Sequence, residues 1–223
     1  MVLGVVFATP LTVALTVPFG NLVAVLWVFR RLGAEEIFTS VRREPRGVRR
    51  LVAPVIGTSA VMGALMLVSN TQILPRANER LAKLFVASQR SEREMLIGEL
   101  RVAARSARAE GGSAELAHAA LYEVEIHKRI ALAAACVVVA LAGAAFSLLF
   151  PGCNTVLVIC SAFFIFSVHY VAINAGEALA HHLLVSPFVG TWMGNAILLA
   201  FALPVLLWLG RAQAQGSRLT PPR

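Results

Sequence analysis

His169, Tyr170, Asn174 and Glu177 are the residues whose types and spacing best suit recognition. Successive steps of one, four and three residues put them on neighbouring positions of a helix surface. They fall in an otherwise apolar stretch, and polar groups in a membrane-crossing helix are functional candidates by default. Two readings are open: helix packing, or contact with a substrate or gate. Asn21, isolated in another apolar stretch, raises the same pair of alternatives. Covalent and metal chemistry is poorly served. The chain has no Asp, which argues against two-metal or aspartyl-phosphate schemes, and Cys136, Cys153 and Cys160 have no paired metal-ligand spacing. No GxxxxGK[ST] loop is present, so the chain does not bind ATP through a P-loop of its own. His181 and His182 are placed to meet a metal or a head group, but interfacial histidines are common. The expectation is a chain without a catalytic pair, a metal or a bound cofactor of its own.

The elements that must position these residues are membrane helices. The chain has 223 residues, 58% hydrophobic and only 14% charged, against about 25% charged in a soluble domain. About 20 apolar residues cross the hydrocarbon core as a helix, because the backbone must bond internally there. Five such runs can be drawn: Met1–Phe29, Leu51–Leu74, Ile130–Phe150, Val156–Gly176 and Phe188–Leu209. The first lacks the basic start of a signal peptide and exceeds the usual apolar length of one. Pro10 and Pro18 within it are expected to bend it; membrane helices tolerate proline.

Charge predicts the orientation. Residues 30–50 carry seven arginines and three glutamates, a net charge of +4, in a short loop that weighs toward the cytoplasm. The tail beyond residue 209 carries Arg211, Arg218 and Arg223 and no acidic residue, whereas EALAHHLLVSP has no Lys or Arg and reads as the outer side. The N-terminus is then outside. That arrangement suggests a preceding helix that is missing or supplied by another chain; a first span inserting as a reverse anchor is the alternative.

The expected fold is an all-α polytopic membrane protein, with about five transmembrane helices and a short helical extramembrane insert. Residues 1–74 form an N-terminal transmembrane pair, with the loop 30–50 between its members. Residues 75–129 form a charged extramembrane segment, 130–209 a transmembrane triple and 210–223 a flexible cytoplasmic tail. The insert holds ten Lys or Arg and eight Glu, and its Ala, Leu, Arg and Glu favour helix. Leu96, Leu100 and Ala103 or Ala104 make an apolar stripe. Gly111-Gly112-Ser113 separates two helices, with Ser113 placed to cap the second.

Three blocks, taken in order, resemble the LptF/LptG permease family of the lipopolysaccharide exporter. ATPLTVALTVPFGNLVAVLWVFRRLGAEEIFTSVRREPRGVRRLVAPV is similar to the family's second span, coupling segment and third-span start, through Pro18, Arg31-Leu32, Glu36-Ile37, Arg49-Arg50 and Pro54. SNTQILPRANERL resembles the exit from the third span. EIHKRIALAAACVVVALAGAAFSLLF and the later SPFVGTWMGNAIL resemble the starts of the fourth and last spans. The likeness covers roughly residues 8–84 and 123–209.

The resemblance implies a multi-pass subunit of the bacterial inner membrane. It would pair with a second LptF/LptG-like permease and with a cytoplasmic ABC-type ATPase that binds ATP and Mg, act on lipopolysaccharide or a related lipid, and bind no nucleic acid. Glu36, Ile37, Arg42, Arg43, Arg49 and Arg50 would form the ATPase-coupling surface. Asn21, His169, Tyr170, Asn174 and Glu177 become candidates for the lipid path or gate. A non-transporting scaffold or accessory subunit is the alternative, in which the arginines only hold the loop inside. Departures are specific. The family's first span and its β-jellyroll between spans three and four have no counterpart here. Its coupling-segment glycine falls near Glu44, with Gly47 displaced, and a proline opening its last span is Gly194 here.

Overall fold

The computed structural model describes residues 2–34, 47–73, 75–76 and 95–219, with side chains described for 16–33, 47–73, 75–76 and 95–213. Six α-helices account for nearly all of them: α1 (Val2–Ala34), α2 (Gly47–Val68, continued by the π-helical turn Ser69–Ile73), α3 (Ile97–Glu110), α4 (Ser113–Leu149), α5 (Thr155–His181) and α6 (Pro187–Leu219). No strand occurs among the described residues. Four helical stretches there are long and apolar enough to cross a membrane: Gly47–Ile73, Ser113–Leu149, Thr155–His181 and Pro187–Gln213. Four of the five expected runs fall in these stretches. Met1–Phe29, the remaining run, falls in α1, Val2–Ala34.

α4 is the axis of the bundle, touching each of the other five helices. Its sequence explains this role. From Ala131 to Ala145 it is mostly Ala, Val and Gly, and small residues let neighbouring backbones approach closely. Leu22, Leu26, Val139, Leu148 and Val158 are fully or almost fully buried around it. Most residues in the membrane-length parts of α2 and α6 are not fully buried in the bundle. α4 has 37 residues and so runs about 55 Å at 1.5 Å per residue, well beyond the thickness of a hydrocarbon core. Its uncharged part begins at Ile130, which leaves Ser113–Arg129 as an extension.

α3 folds back along that extension. Leu100 and Ala104 are buried against it, as the apolar stripe predicts. Glu99 accepts a hydrogen bond from the Leu96 backbone N–H at 2.8 Å, which closes the first turn. Gly111 ends α3 at φ 73°, a left-handed conformation that glycine adopts without penalty. The second helix is capped by Gly112, not by Ser113, which is the first helical residue. Gly112 already supplies the extended conformation the cap needs, so the chain enters the helix one residue before the hydroxyl. Arg129, only 4% exposed, bonds the Met95 carbonyl at 2.8 Å and Glu125 at 2.9 Å, which ties the start of α3 to α4.

α5 and α6 cross at glycines. A methyl group added to Gly176 would strike the Gly190 carbonyl, and one on Gly190 would strike the Gly176 carbonyl. A Cβ on Gly194 would lie 2.9 Å from the His169 carbonyl oxygen. Gly194 is therefore a close helix contact in this chain.

Candidate functional site

The α5 stripe forms one wall of a crevice of about 270 Å³ between α1, α4 and α5. His169, Tyr170, Asn174 and Glu177 all line it, so the helical spacing read from the sequence brings these four to a common space. Pro18 of α1 and Leu132 and Ala135 of α4 form the opposite walls. The four differ in environment. His169 is 4% exposed, and its Nε2 is buried with no hydrogen-bond partner among the described residues. Tyr170 lies open at the rim, its ring stacked on Phe166 with centroids 6.3 Å apart. Asn174 bonds back to the Tyr170 carbonyl at 2.7 Å, which holds its amide along the helix.

Glu177 sits at the mouth, bound to Lys128 of α4 at 2.6 Å, with His181 on its other oxygen at 3.9 Å. The Lys128 and Glu177 side chains are 16% and 20% exposed. The pair thus lies between exposed pairs worth about 0–1 kcal/mol and buried ones, whose rupture costs roughly 3–5 kcal/mol. Both residues stand where the uncharged parts of their helices end, so the charges meet at the bundle's edge and leave its middle uncharged.

Lys128 was not singled out by sequence. It counts there as one basic residue among ten in the insert, and the 49 residues separating it from Glu177 carry no register. Its place two residues ahead of the charge-free run that begins at Ile130 was the available signal. Asn21 does not line the crevice. Its amide donates to Ser59 Oγ at 2.9 Å and to the Cys136 carbonyl at 2.8 Å, joining α1 to α2 and α4. For Asn21 the packing role is the one with a geometry. Cys136 is buried beside the Met66 sulfur at 3.6 Å, and all three cysteines are free.

Of the expected coupling residues, Glu36, Ile37, Arg42 and Arg43 lie outside the described residues. Arg49 and Arg50 are exposed on the first turn of α2. Beside them an open groove of about 470 Å³ runs between α2 and the end of α6, near Arg211. The Val48 backbone N–H donates to Gln213 across it at 3.1 Å. The end of α1 reaches the same side, where Gly33 abuts Gly152 in the turn between α4 and α5. Arg30, Arg31, Arg49, Arg50 and Arg211 therefore gather at one end of the bundle, and the Lys128–Glu177 pair lies at the other.

The described residues include no group of three His, Cys, Asp or Glu able to hold a metal ion. What the crevice offers is hydrogen bonding and one matched pair of charges over an apolar floor, an arrangement suited to binding. A family model described as lipopolysaccharide export system permease LptF/LptG matches residues 1–97 and 84–209. Comparison with curated proteins and with solved structures gave no match.

Proposed function

This chain belongs to the LptF/LptG family of lipopolysaccharide export permeases, and we propose that it is a transmembrane subunit coupling a separate cytoplasmic ATPase to extraction of lipopolysaccharide or a related lipid. It is a multi-pass membrane permease of the inner membrane, not an enzyme. In the proposal, a second LptF/LptG-like permease completes the transmembrane unit and the ATPase holds ATP and Mg. The crevice, with His169, Tyr170, Asn174 and Glu177, is part of the lipid path; Asn21 supports it from behind by holding α1 in place.

The observation that carries the reading is the crevice's position at the opposite end from the gathered arginines. A lipid-handling site and an ATPase-docking site must be separated across the bundle for a push at one to act on the other. Glu36, Ile37, Arg42, Arg43, Arg49 and Arg50 form the docking surface. Mixed charge there fixes register with the partner, which serves specificity more than affinity. Docking must also differ between the ATPase's nucleotide states, since equal affinity for both would shift nothing. The competing reading is a non-transporting scaffold. It is favoured by the size of the crevice, which is too small to enclose a whole lipid.

Glu36 separates the two. Glu36→Lys adds positive charge to the loop and preserves its cytoplasmic placement. Under the coupling reading, the variant recovers much less ATPase on co-purification than the wild type. Unchanged recovery and unchanged hydrolysis would leave the arginines as an anchor only.

Five spans, with α1 as the first, belong to the same proposal, with residues 30–50 and the C-terminus cytoplasmic and His181-His182 outside. In a cysteine-free background, single cysteines replacing Ser40 and Ser186 should react with an impermeant thiol reagent from opposite sides. Reaction of both from one side would refute this orientation.

A further inference from the structure

We propose that the groove between α2 and α6 holds an anionic phospholipid of the cytoplasmic leaflet, its phosphate between Arg49 and Arg211 and an acyl chain along the groove. The proposal goes beyond the lipid-path reading and does not depend on it. The groove lies between a different pair of helices, at the opposite end of the bundle from the crevice mouth. It takes from the proposed topology only the leaflet, which labelling at Ser40 and Ser186 reads separately.

Two helix stripes build the groove. On α2, Arg49, Val52, Ala53 and Ile56 recur at steps of three, one and three residues and so share one side of the helix. On α6, Leu207 and Arg211 stand about one turn apart, with Leu206 beside them. α2 leaves this end of the bundle and α6 returns to it. Each stripe therefore carries its arginine at the same end and its apolar side chains toward the middle. Those side chains belong to the membrane-length stretches Gly47–Ile73 and Pro187–Gln213. From Arg49 to Ile56 the helix rises about 10 Å, within the roughly 15 Å of hydrocarbon in one leaflet. Charge at the end and an apolar trough leading toward the bilayer centre is the order of a phospholipid standing in its own leaflet.

Two tryptophans mark the head-group level independently. Trp27 and Trp208 are exposed, and each precedes an arginine by three residues, Arg30 and Arg211. Tryptophan concentrates where the membrane meets water. Arg30 lies over the Trp27 ring, 5.0 Å from its centroid.

Charge then selects an anion. No carboxylate lines the groove among the described residues. The first turn of α2 has no acidic residue either, although a helix start carries about half a positive charge. Arg49 adds to that charge where a carboxylate would offset it. A phosphate answers both arginines, since a guanidinium can hold two of its oxygens at once. Gln213 ties the helices together at this level by accepting from the Val48 N–H at 3.1 Å. Its Nε2, buried with no partner among the described residues, is a further donor there. Acidic side chains of the ATPase could meet the same arginines, but a soluble partner cannot follow the trough into hydrocarbon. Arg49 thus stands at the edge of the proposed docking surface and Arg211 outside it. The leaflet also separates this lipid from exported cargo at the crevice: it is a resident that fills the gap between α2 and α6.

The test is native mass spectrometry of the purified full chain in detergent, titrated with phosphatidylglycerol or with phosphatidylcholine of the same acyl chains. The wild type should retain phosphatidylglycerol over phosphatidylcholine by at least about fivefold, the ratio that one basic residue near an anionic surface supplies. Arg49→Gln and Arg211→Gln should each reduce this preference, and the double variant should erase it. Arg50→Gln removes a charge from the same helical turn outside the groove and should keep it. Ala53→Trp, at an exposed position in the trough, should release the lipid with the gel-filtration profile unchanged. Equal retention of the two lipids overturns the assignment. So does a preference that survives the double variant or falls as far in Arg50→Gln, because general charge would then explain it. Lipid that stays bound in Ala53→Trp, or that added ATPase displaces, overturns it as well; in the second case the groove belongs to the protein partner. ATP-dependent lipid release tests the path reading separately from all of these outcomes.

Discussion

Gly176→Leu should prevent α5 and α6 from closing on each other and leave little monodisperse protein after purification. The obstacle is backbone. A Cβ at Gly176 meets the Gly190 carbonyl oxygen and its carbon at 2.7 Å. Over-packing among side chains typically costs about 1–3 kcal/mol, because rotamers and neighbours give way. Two helix backbones can give way only by separating, so the loss should exceed that range. Separation would also move His169, whose carbonyl oxygen lies 2.9 Å from the Cβ position of Gly194, and with it the crevice. Gly57→Leu is the contrasting variant. Nothing lies within 4 Å of a Cβ there, and replacing glycine in a helix recovers up to about 1 kcal/mol of propensity. Gel filtration and the unfolding midpoint in a denaturing-detergent titration compare the two. Equal behaviour would contradict the close crossing.

Arg129→Met should free the start of α3 while leaving the spans assembled. The guanidinium has a side chain only 5% exposed and bonds the Met95 carbonyl and Glu125. Hydrogen bonds to a charged group are worth about 1.5–3 kcal/mol each, and removing the arginine also leaves Glu125, 18% exposed, without this partner. Arg108→Met is the matched control. Arg108 pairs with Glu123 at 2.8 Å, but its side chain is 58% exposed, so water screens the pair to about 0–1 kcal/mol. Hydrogen exchange over residues 97–104 should accelerate strongly in Arg129→Met and little in Arg108→Met. Similar acceleration in both would mean that burial at Arg129 does not set the strength of the tie.

What sequence could supply follows from what it encodes locally. Charge-free runs locate helices because lipid requires internal hydrogen bonding, and Gly111-Gly112 marks a break because glycine takes the left-handed cap. Helical spacing also brought His169, Tyr170, Asn174 and Glu177 to one wall, since all four ride on α5. Between helices that reasoning stops. Nothing in the spacing joins Lys128 to Glu177, or points the Asn21 amide to Ser59 and the Cys136 carbonyl instead of the crevice. These depend on how α1 and α5 are rotated against α4, and on the α1 side the close approach of Leu22 to Gly143 contributes to that rotation. A helix from Ser113 and a span from Ile130 were each legible; that they form one uninterrupted helix, Ser113–Leu149, was not, because the charges end at Arg129 and suggested a boundary there.

The central claim is that this chain carries work from an ATPase to a lipid. ATP-dependent release of lipopolysaccharide from proteoliposomes to a soluble acceptor measures it most directly, with vesicles holding this chain, its partner permease and the ATPase. The account predicts release by the complete complex, none when this chain is omitted, and hydrolysis without matching release when Glu36→Lys still assembles. Equal ATP-dependent release with and without this chain would contradict it.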